Sequence, residues 1–185
     1  PQKTTIYDKA GKEIKVIRDV PLEEVRPKGF MSTTKEIRSV NWRADKPATA
    51  YYTIALDEGD PAKEVEFRDE VLTLEAPFNG KPKSIIKTQQ RYSGITWGND
   101  EIAIASDYWW NTRNTKRYLF NPSDATQKPE TLYDLSYEDR YADPGSFKTA
   151  KNEWGEYSLI INKNKLYLTG NGYSPEGMRP FFDEF

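Results

Sequence analysis

The most unusual group of chemically capable side chains in this chain is an aromatic run that ends in an arginine. The run reads Tyr-Trp-Trp-Asn-Thr-Arg and ends at Arg113. A guanidinium beside aromatic rings can hold a carboxylate in a bidentate fork, so Arg113, Trp109 and Trp110 are candidate substrate-contact residues. The structural alternative is that one Trp packs into a β core while Arg113 braces a neighbouring acidic loop. The same two interpretations apply to Arg91 and Arg117.

Carboxylates are concentrated in two segments, residues 57–60 and 136–143. Neither segment has the spacing of an established calcium loop, so we expect solvated turns and no metal site. Two carboxylates lying about 5–10 Å apart in a cleft would instead suit glycoside hydrolysis. The sequence cannot place them, and a self-sufficient all-β protein that binds or hydrolyses carbohydrate therefore remains the alternative function.

The chain contains no histidine and no cysteine. A Ser-His-Asp or Cys-His arrangement needs an imidazole to accept and return a proton, so neither can be assembled from this chain alone. Disulfides, thiolate metal sites and histidine-ligated zinc are excluded as well. We expect no cofactor and no catalytic residue within the chain.

Composition limits the class of partner. Of the 185 residues, 14% are aromatic, which favours half-buried strands over helices. The formal net charge is −2, so no overall field would attract nucleic acid or an anionic membrane surface. There is also no run of about 18 apolar residues, and membrane insertion is not expected.

Two segments repeat one strand-forming pattern at a distance of 55 residues. In each, a β-branched residue precedes a Trp by two positions: Val40 precedes Trp42, and Ile95 precedes Trp97. Positions two apart share one face of a strand, so both indoles are predicted to lie in the cores of two repeated units. Propeller families repeat at roughly 40–50 residues, so the pattern favours blades with long loops.

The rest of the chain also predicts strands and no convincing helix. Hairpins are expected around residues 8–12 and, near the end of the chain, between strands 157–161 and 166–170. The predicted strands of the two repeated units are 39–43, 48–56, 70–74 and 84–87, and then 93–97, 101–106, 116–120 and 131–135. The fold prediction is an all-β partial propeller of four-stranded antiparallel blades: residues 1–36 form a blade end and connector, 37–87 one blade, 88–140 a second blade, and 141–185 an incomplete one.

Several short motifs, in this order, resemble the N-terminal propeller of prolyl oligopeptidase family serine peptidases. The glutamyl endopeptidase-like subgroup is the most similar. The motifs are Arg-Ser-Val-Asn-Trp-Arg at 38–43, Ala-Leu-Asp-Glu-Gly-Asp-Pro at 55–61, Arg-Asp at 68–69, Thr-Gln-Gln-Arg at 88–91, Gly-Ile-Thr-Trp-Gly at 94–98, Trp-Trp-Asn-Thr-Arg at 109–113, Asp-Pro-Gly at 143–145 and the segment 168–181.

The resemblance implies a two-domain peptidase in which a propeller caps an α/β-hydrolase domain carrying Ser, Asp and His. The nucleophile elbow Gly-x-Ser-x-Gly does not occur in this chain. The chain is therefore expected to be an inactive segment that gates the access of peptides to a hydrolase domain outside it. A cation such as Arg113 would suit glutamate-directed cleavage.

The partners implied by the resemblance are the parent's own hydrolase domain and peptide substrates. Unpaired groups along open blade edges also predict self-association. A pure scaffold for protein partners is a third hypothesis. We expect a bacterial periplasmic or secreted location, although the residues themselves carry no targeting pattern.

Overall fold

The computed structural model describes residues 1–185 and contains only β-strands, turns and loops. All strand pairs are antiparallel, which agrees with the predicted all-β class. The structure contains no helical segment that could span a membrane. The chain divides into two compact units, Pro1–Arg43 with Pro47–Tyr92, and Ala44–Lys46 with Ser93–Phe185.

The first unit contains a hairpin and a four-stranded sheet. The hairpin pairs β1 with β2, and the sheet has the order β3-β4-β5-β6, so neighbours in the sheet are also neighbours in the chain. The strands are β1 (Gln2–Tyr7), β2 (Glu13–Val20), β3 (Arg38–Trp42), β4 (Thr49–Ala55), β5 (Asp69–Glu75) and β6 (Lys83–Thr88).

One face of this sheet carries the apolar core of the first unit. Ile6 and Ile17 from the hairpin pack with Tyr52, Leu74 and Phe78 from the sheet and the turn that follows β5. The first five residues of β4 are all buried, so this central strand is covered on both faces. Burying apolar side chains of this size contributes about 1.5–3 kcal/mol each, so the hairpin and sheet stabilise one another.

The second unit contains a four-stranded sheet followed by shorter pairings. The sheet has the order β10-β9-β8-β7, and a three-stranded sheet with the order β11-β14-β17 follows, with the hairpins β12-β13 and β15-β16. The strands are β7 (Arg91–Trp97), β8 (Ala103–Trp109), β9 (Asn114–Phe120), β10 (Glu130–Ser136), β11 (Ser146–Phe147), β12 (Thr149–Lys151), β13 (Tyr157–Leu159), β14 (Tyr167–Gly170), β15 (Tyr173–Ser174), β16 (Gly177–Met178) and β17 (Phe181–Glu184).

A cluster of buried apolar side chains packs against the four-stranded sheet of the second unit. Ile104 packs with Leu159 and Leu166, and Leu119 and Phe147 pack against this cluster. Farther along the same strands the side chains become polar. The cleft described below lies next to this cluster, since Ile104 and Phe147 also line its smaller cavity.

Each of the eight strands predicted for the two repeats overlaps a strand of the structure. Each repeat forms one four-stranded antiparallel sheet in chain order. The hairpin predicted between 157–161 and 166–170 is wrong as a pairing. A turn does close through an isolated bridge between Asn162 and Lys165, but β13 pairs with β12 while β14 pairs with β11 and β17.

The two repeated tryptophans differ in burial. Trp97 is only 3% exposed, whereas Trp42 is 54% exposed. The expectation that Trp42 lies in a blade core is therefore wrong. Trp42 ends the edge strand β3, and its ring touches Phe78 edge-to-face with the ring centroids 5.9 Å apart.

Candidate functional site

Arg91 belongs to a group of charged side chains inside the first unit, called here the buried ionic network. Asp57 and Asp69 are 0% exposed and Arg91 is 4% exposed. The network comprises three guanidinium groups and two carboxylates, from Arg38, Asp57, Arg68, Asp69 and Arg91.

Asp57 accepts hydrogen bonds from two arginines. Nη1 of Arg91 donates to Oδ1 at 2.8 Å, and Nη1 of Arg68 donates to Oδ2 at 2.8 Å. Nη2 of Arg91 lies 2.7 Å from Oδ2, so the two nitrogens of one guanidinium face the two oxygens of one carboxylate. Nη2 makes this contact as an ion pair without a hydrogen bond, so one hydrogen bond and one ion pair join the guanidinium to the carboxylate.

Asp69 joins the same guanidinium from the start of β5. Nη1 of Arg91 donates to its Oδ1 at 3.1 Å, the backbone N–H of Tyr92 donates to Oδ2 at 2.7 Å, and Nη2 of Arg38 also donates to Oδ2. Burial raises the pKa of the Asp69 carboxyl and is opposed by Arg38 and Arg91. Burial likewise lowers the pKa of Arg38.

The turn that follows β4 places Asp57 in the network. Gly59 has a φ of +79°, and a Cβ there would lie 2.1 Å from the carbonyl oxygen of Thr33, so only glycine fits. The N–H of Gly59 donates to Oδ1 of Asp57 at 2.9 Å. The expectation of a solvated turn at 57–60 is wrong for Asp57, because its arginine partners come from other segments and enclose it.

Nε of Arg91 donates a hydrogen bond to the carbonyl oxygen of Met31 at 2.8 Å. Together with its contacts to both carboxylates, this bond engages the Arg91 guanidinium with partners inside the protein. Arg91 therefore supports the structural interpretation. Four of the sequence motifs that carry the family resemblance converge on this network: those at 38–43, 55–61, 68–69 and 88–91.

Arg113 lies in the loop between β8 and β9 with a φ of +57°. Its guanidinium stacks 3.8 Å from the centroid of the Trp110 ring, and its Nε lies 3.0 Å from Oε1 of Glu138. Nη1 also donates to the carbonyl of Trp110. Arg113 thus contacts the acidic loop as the structural alternative expected. Trp110 is exposed and Trp109 is half-buried, so the aromatic run lies at the surface.

Arg117 on β9 has the least occupied guanidinium of the three arginines. It lines two cavities of about 200 Å³ and about 190 Å³, called together the Arg117 cleft. Its one hydrogen bond runs from Nη1 to the carbonyl of Gly145 at 3.3 Å, and its guanidinium carbon lies 6.0 Å from the centroid of the Tyr133 ring. Burial raises the pKa of the Tyr133 phenol, and Arg117 opposes this shift.

A short loop before β11 shapes one wall of the cleft. The N–H of Gly145 donates to Oδ1 of Asp143 at 2.9 Å, and the carbonyl of Gly145 faces Arg117. Gly145 has a φ of +84°, and a Cβ there would lie 2.4 Å from the carbonyl oxygen of Thr169. Glycine is therefore required where the loop passes β14. The position of the loop in turn fixes this wall of the cleft.

The aspartate carboxylates of the acidic loop, residues 136–143, take part in the turns of their own loop. No group of three or more carboxylate side chains in the structure could hold a metal ion. Asp139 and Asp143 line the larger cavity, and each accepts backbone N–H groups of its own loop. Their hydrogen bonds therefore support loop geometry.

The three candidate substrate-contact residues lie next to one another in the second unit. Trp109 ends β8, and Trp110 and Arg113 lie in the surface loop that follows, whereas Arg91 lies in the buried ionic network. The sequence offered the same two interpretations for Arg117 and did not indicate the polar residues that line the smaller cavity with it, Thr96, Ser106 and Ser146. The alternation of Ser106 with apolar Ile104 on one strand face was the available signal.

The chain is similar to two curated plant proteins over its whole length. It is 35% identical over 193 residues to the probable chloroplastic glutamyl endopeptidase of Arabidopsis thaliana, and 35% identical over 192 residues to the protein of that name from Oryza sativa subsp. japonica. Each match covers 100% of this chain and 20% of the relative. No family model matches the chain. No solved structure matches it either.

Proposed function

We propose that this chain, which is homologous over its whole length to a segment of glutamyl endopeptidases, supplies two β-propeller blades to a serine peptidase of the prolyl oligopeptidase family. The observation that carries this proposal is strand order. The sheets β3–β6 and β7–β10 each contain four antiparallel strands that are neighbours in the chain. Four consecutive strands per repeat is the blade pattern of a propeller.

In this proposal the blades are non-catalytic and act as a gate. The chain contains no histidine, so a Ser-His-Asp triad would come from a hydrolase domain elsewhere in the parent protein. The blades would exclude folded proteins and admit short or unfolded peptides, which makes selection steric before it is chemical. The buried ionic network supports this role, because it joins Asp69 at the start of β5 to Arg91 within the first unit.

The first experiment separates a gate from a self-sufficient enzyme. The purified 185-residue chain is incubated with fluorogenic peptides that contain glutamate and with a panel of glycoside reporters. We expect no turnover of either class. Glycoside turnover that is abolished by Asp139→Asn or Asp143→Asn would replace the proposal by the carbohydrate-active alternative.

The second experiment tests gating in the full-length parent peptidase. Loosening the first blade with Arg91→Met should raise the cleavage of a folded protein relative to that of a short glutamate-containing peptide by about tenfold, because the steric filter weakens while the chemistry stays elsewhere. Arg113→Met, which removes an arginine from a surface loop, is the matched control and should leave the ratio unchanged. An unchanged ratio for Arg91→Met contradicts gating.

The proposed partners are the parent's hydrolase domain and its peptide substrates. Strands β3, β6, β7 and β10 are edges of their sheets, so self-association of the isolated chain through these strands is also proposed. Sedimentation velocity should then show a concentration-dependent increase in mass. A compact monomer at every concentration contradicts self-association and leaves the gating proposal unaffected.

A further inference from the structure

A row of polar side chains crosses the middle of the sheet β7–β10. Ser106 on β8 pairs directly with Arg117 on β9, and Arg117 pairs in turn with Tyr133 on β10. Directly paired residues of antiparallel strands present their side chains on the same face of the sheet. Thr96 on β7 and Ser146 on β11 line the same cavity as Ser106 and Arg117.

The donors in this row have few partners within the chain. The hydroxyls of Thr96, Ser106 and Ser146 make no hydrogen bond to another protein group, and Arg117 forms no ion pair. Residues that carry one guanidinium and three hydroxyls therefore line a cavity of about 190 Å³. Arg91, by contrast, has two carboxylates within 3.1 Å of its guanidinium.

We propose that the Arg117 cleft binds the carboxylate of an acidic side chain in an extended peptide, with Arg117 as the cation and the hydroxyls of Ser106, Ser146 and Thr96 as additional donors. A planar carboxylate matches the two parallel N–H groups of a guanidinium. Hydrogen bonds to a charged group are stronger than those between neutral groups, so the hydroxyls add to the affinity.

The charges around the cleft favour a monoanion over a phosphate. Arg117 is the one cation of the smaller cavity, and the larger cavity adds Arg140 together with the carboxylates of Asp139 and Asp143. A phosphate dianion would be left with excess negative charge next to these two carboxylates. The four charges of the two cavities sum to zero, so a single carboxylate leaves less excess negative charge there than a phosphate dianion would.

The larger cavity suits the remainder of a peptide. It has a volume of about 200 Å³ and is lined by Tyr133, Leu135 and Pro144, whose apolar surfaces can pack against an aliphatic stem and a peptide backbone. This assignment of the ligand rests on the proposed function, since peptides are the substrates expected for a gate. Carboxylate binding itself is measured on the chain alone and does not depend on peptidase activity.

The test is an NMR titration of the ¹⁵N-labelled chain with N-acetyl-glutamate amide and, separately, with N-acetyl-glutamine amide, which has the same shape without the charge. We expect the glutamate compound to shift the backbone signals of Gly145 and Ser146 at millimolar concentration. The glutamine compound should bind at least about tenfold more weakly, because the charge-assisted contacts are lost. Equal affinities for the two compounds overturn the proposal.

Variants show whether Arg117 carries the binding. Arg117→Met should weaken binding of the glutamate compound by about tenfold or more, and the matched control Arg113→Met should leave it unchanged. If Arg117→Met does not fold, the double variant Ser106→Ala with Ser146→Ala is used and should lose about tenfold. Unchanged binding in whichever of these variants folds overturns the proposal.

Inorganic phosphate distinguishes the two anion classes in the same titration. Weaker binding of phosphate than of the glutamate compound supports the carboxylate assignment, and tighter binding of phosphate overturns it. Because the readout is binding to the isolated chain, a negative result here leaves the gating ratio of the parent peptidase as a separate measurement. Likewise, an unchanged cleavage ratio in the parent peptidase does not affect the proposal of carboxylate binding.

Discussion

The buried ionic network of the first unit and the Arg117 cleft of the second unit use arginine in opposite ways. In the network, Arg91 is 4% exposed and contacts the carboxylates of Asp57 and Asp69. In the cleft, Arg117 faces open space and makes one long hydrogen bond to a carbonyl. The comparison teaches that the partners already present around a guanidinium, and not its presence in a sequence, decide whether it is available to a ligand.

Arg113 lies between these two extremes. Its guanidinium is paired with Glu138 and stacked on Trp110, yet the ion pair is partly exposed to solvent. Exposed ion pairs contribute little, typically about 0–1 kcal/mol, so this loop is held together by modest contacts. The three arginines thus form a series in which the guanidinium of Arg91 has the most partners within the protein and that of Arg117 has the fewest.

The comparison predicts its largest effect at Arg91. Arg91→Met should reduce the free energy of unfolding by about 3–5 kcal/mol, because Asp57 and Asp69 would remain buried with fewer positive partners. Urea denaturation followed by tryptophan fluorescence measures this change. Arg117→Met, the matched control, should change stability by less than about 0.5 kcal/mol. A loss below about 1 kcal/mol for Arg91→Met would show that the network is not a major source of stability.

The repeated tryptophans sharpen the comparison between the two sheets. Trp97→Ala should cost about 3–5 kcal/mol through lost burial and a residual cavity. Trp42→Ala should cost only about 1 kcal/mol, since Trp42 is 54% exposed and loses mainly its edge contact with Phe78. The same denaturation experiment measures both variants. Equal losses would mean that the two indoles have equivalent environments.

A smaller effect is expected at Arg113, where the backbone and the side chain act in opposite directions. Arg113→Ala should cost about 1 kcal/mol, because it removes the Trp110 and Glu138 contacts and keeps a left-handed backbone. Arg113→Gly removes the same contacts but relieves the strain of the positive φ, so its loss should be smaller. Thermal unfolding of the two variants gives the order of their stabilities. A larger loss for glycine would contradict the assigned backbone strain.

The smallest effect concerns the titration of Asp134 on β10. The hydrogen bond from Asn114 and the nearby Lys116 hold the pKa of the Asp134 carboxyl below its usual value of 3.8. Because the folded pKa is the lower one, the stabilisation is present above the usual value and is lost as the pH falls through the lowered value. Carboxyl ¹³C NMR should show Asn114→Ala raising this pKa. An unchanged titration curve would show that Asn114 is not the main cause of the lowered pKa.

Strand positions were predictable from the sequence because their signals are local. Alternating apolar residues and Gly- or Pro-rich turns define the strands of both four-stranded sheets, and each predicted strand overlaps an observed one. The hairpin expected after residue 156 was wrong because the turn at Asn162 and Lys165 is local, whereas β14 finds its partners in β11 and β17. Pairing between distant segments leaves no local pattern.

Site residues were less predictable, since their character depends on partners far away in the chain. Asp57 looked like part of a solvated turn, yet Arg91 contacts it from 34 residues away. Trp42 has the same local pattern as Trp97 but ends an edge strand with one aromatic neighbour. The surroundings of Arg117 were not predictable, because its row with Ser106 and Tyr133 forms only when three strands pair.

The most direct test of the contrast between the two arginine environments is a spectrum of the arginine Nε–H groups of the chain, recorded during addition of N-acetyl-glutamate amide. We expect the Arg117 signal to move with added ligand. The Arg91 signal should stay in place and exchange slowly with water, because its Nε–H is buried and donates to the carbonyl of Met31. Movement of the Arg91 signal, or a stationary Arg117 signal at saturating ligand, would contradict the account.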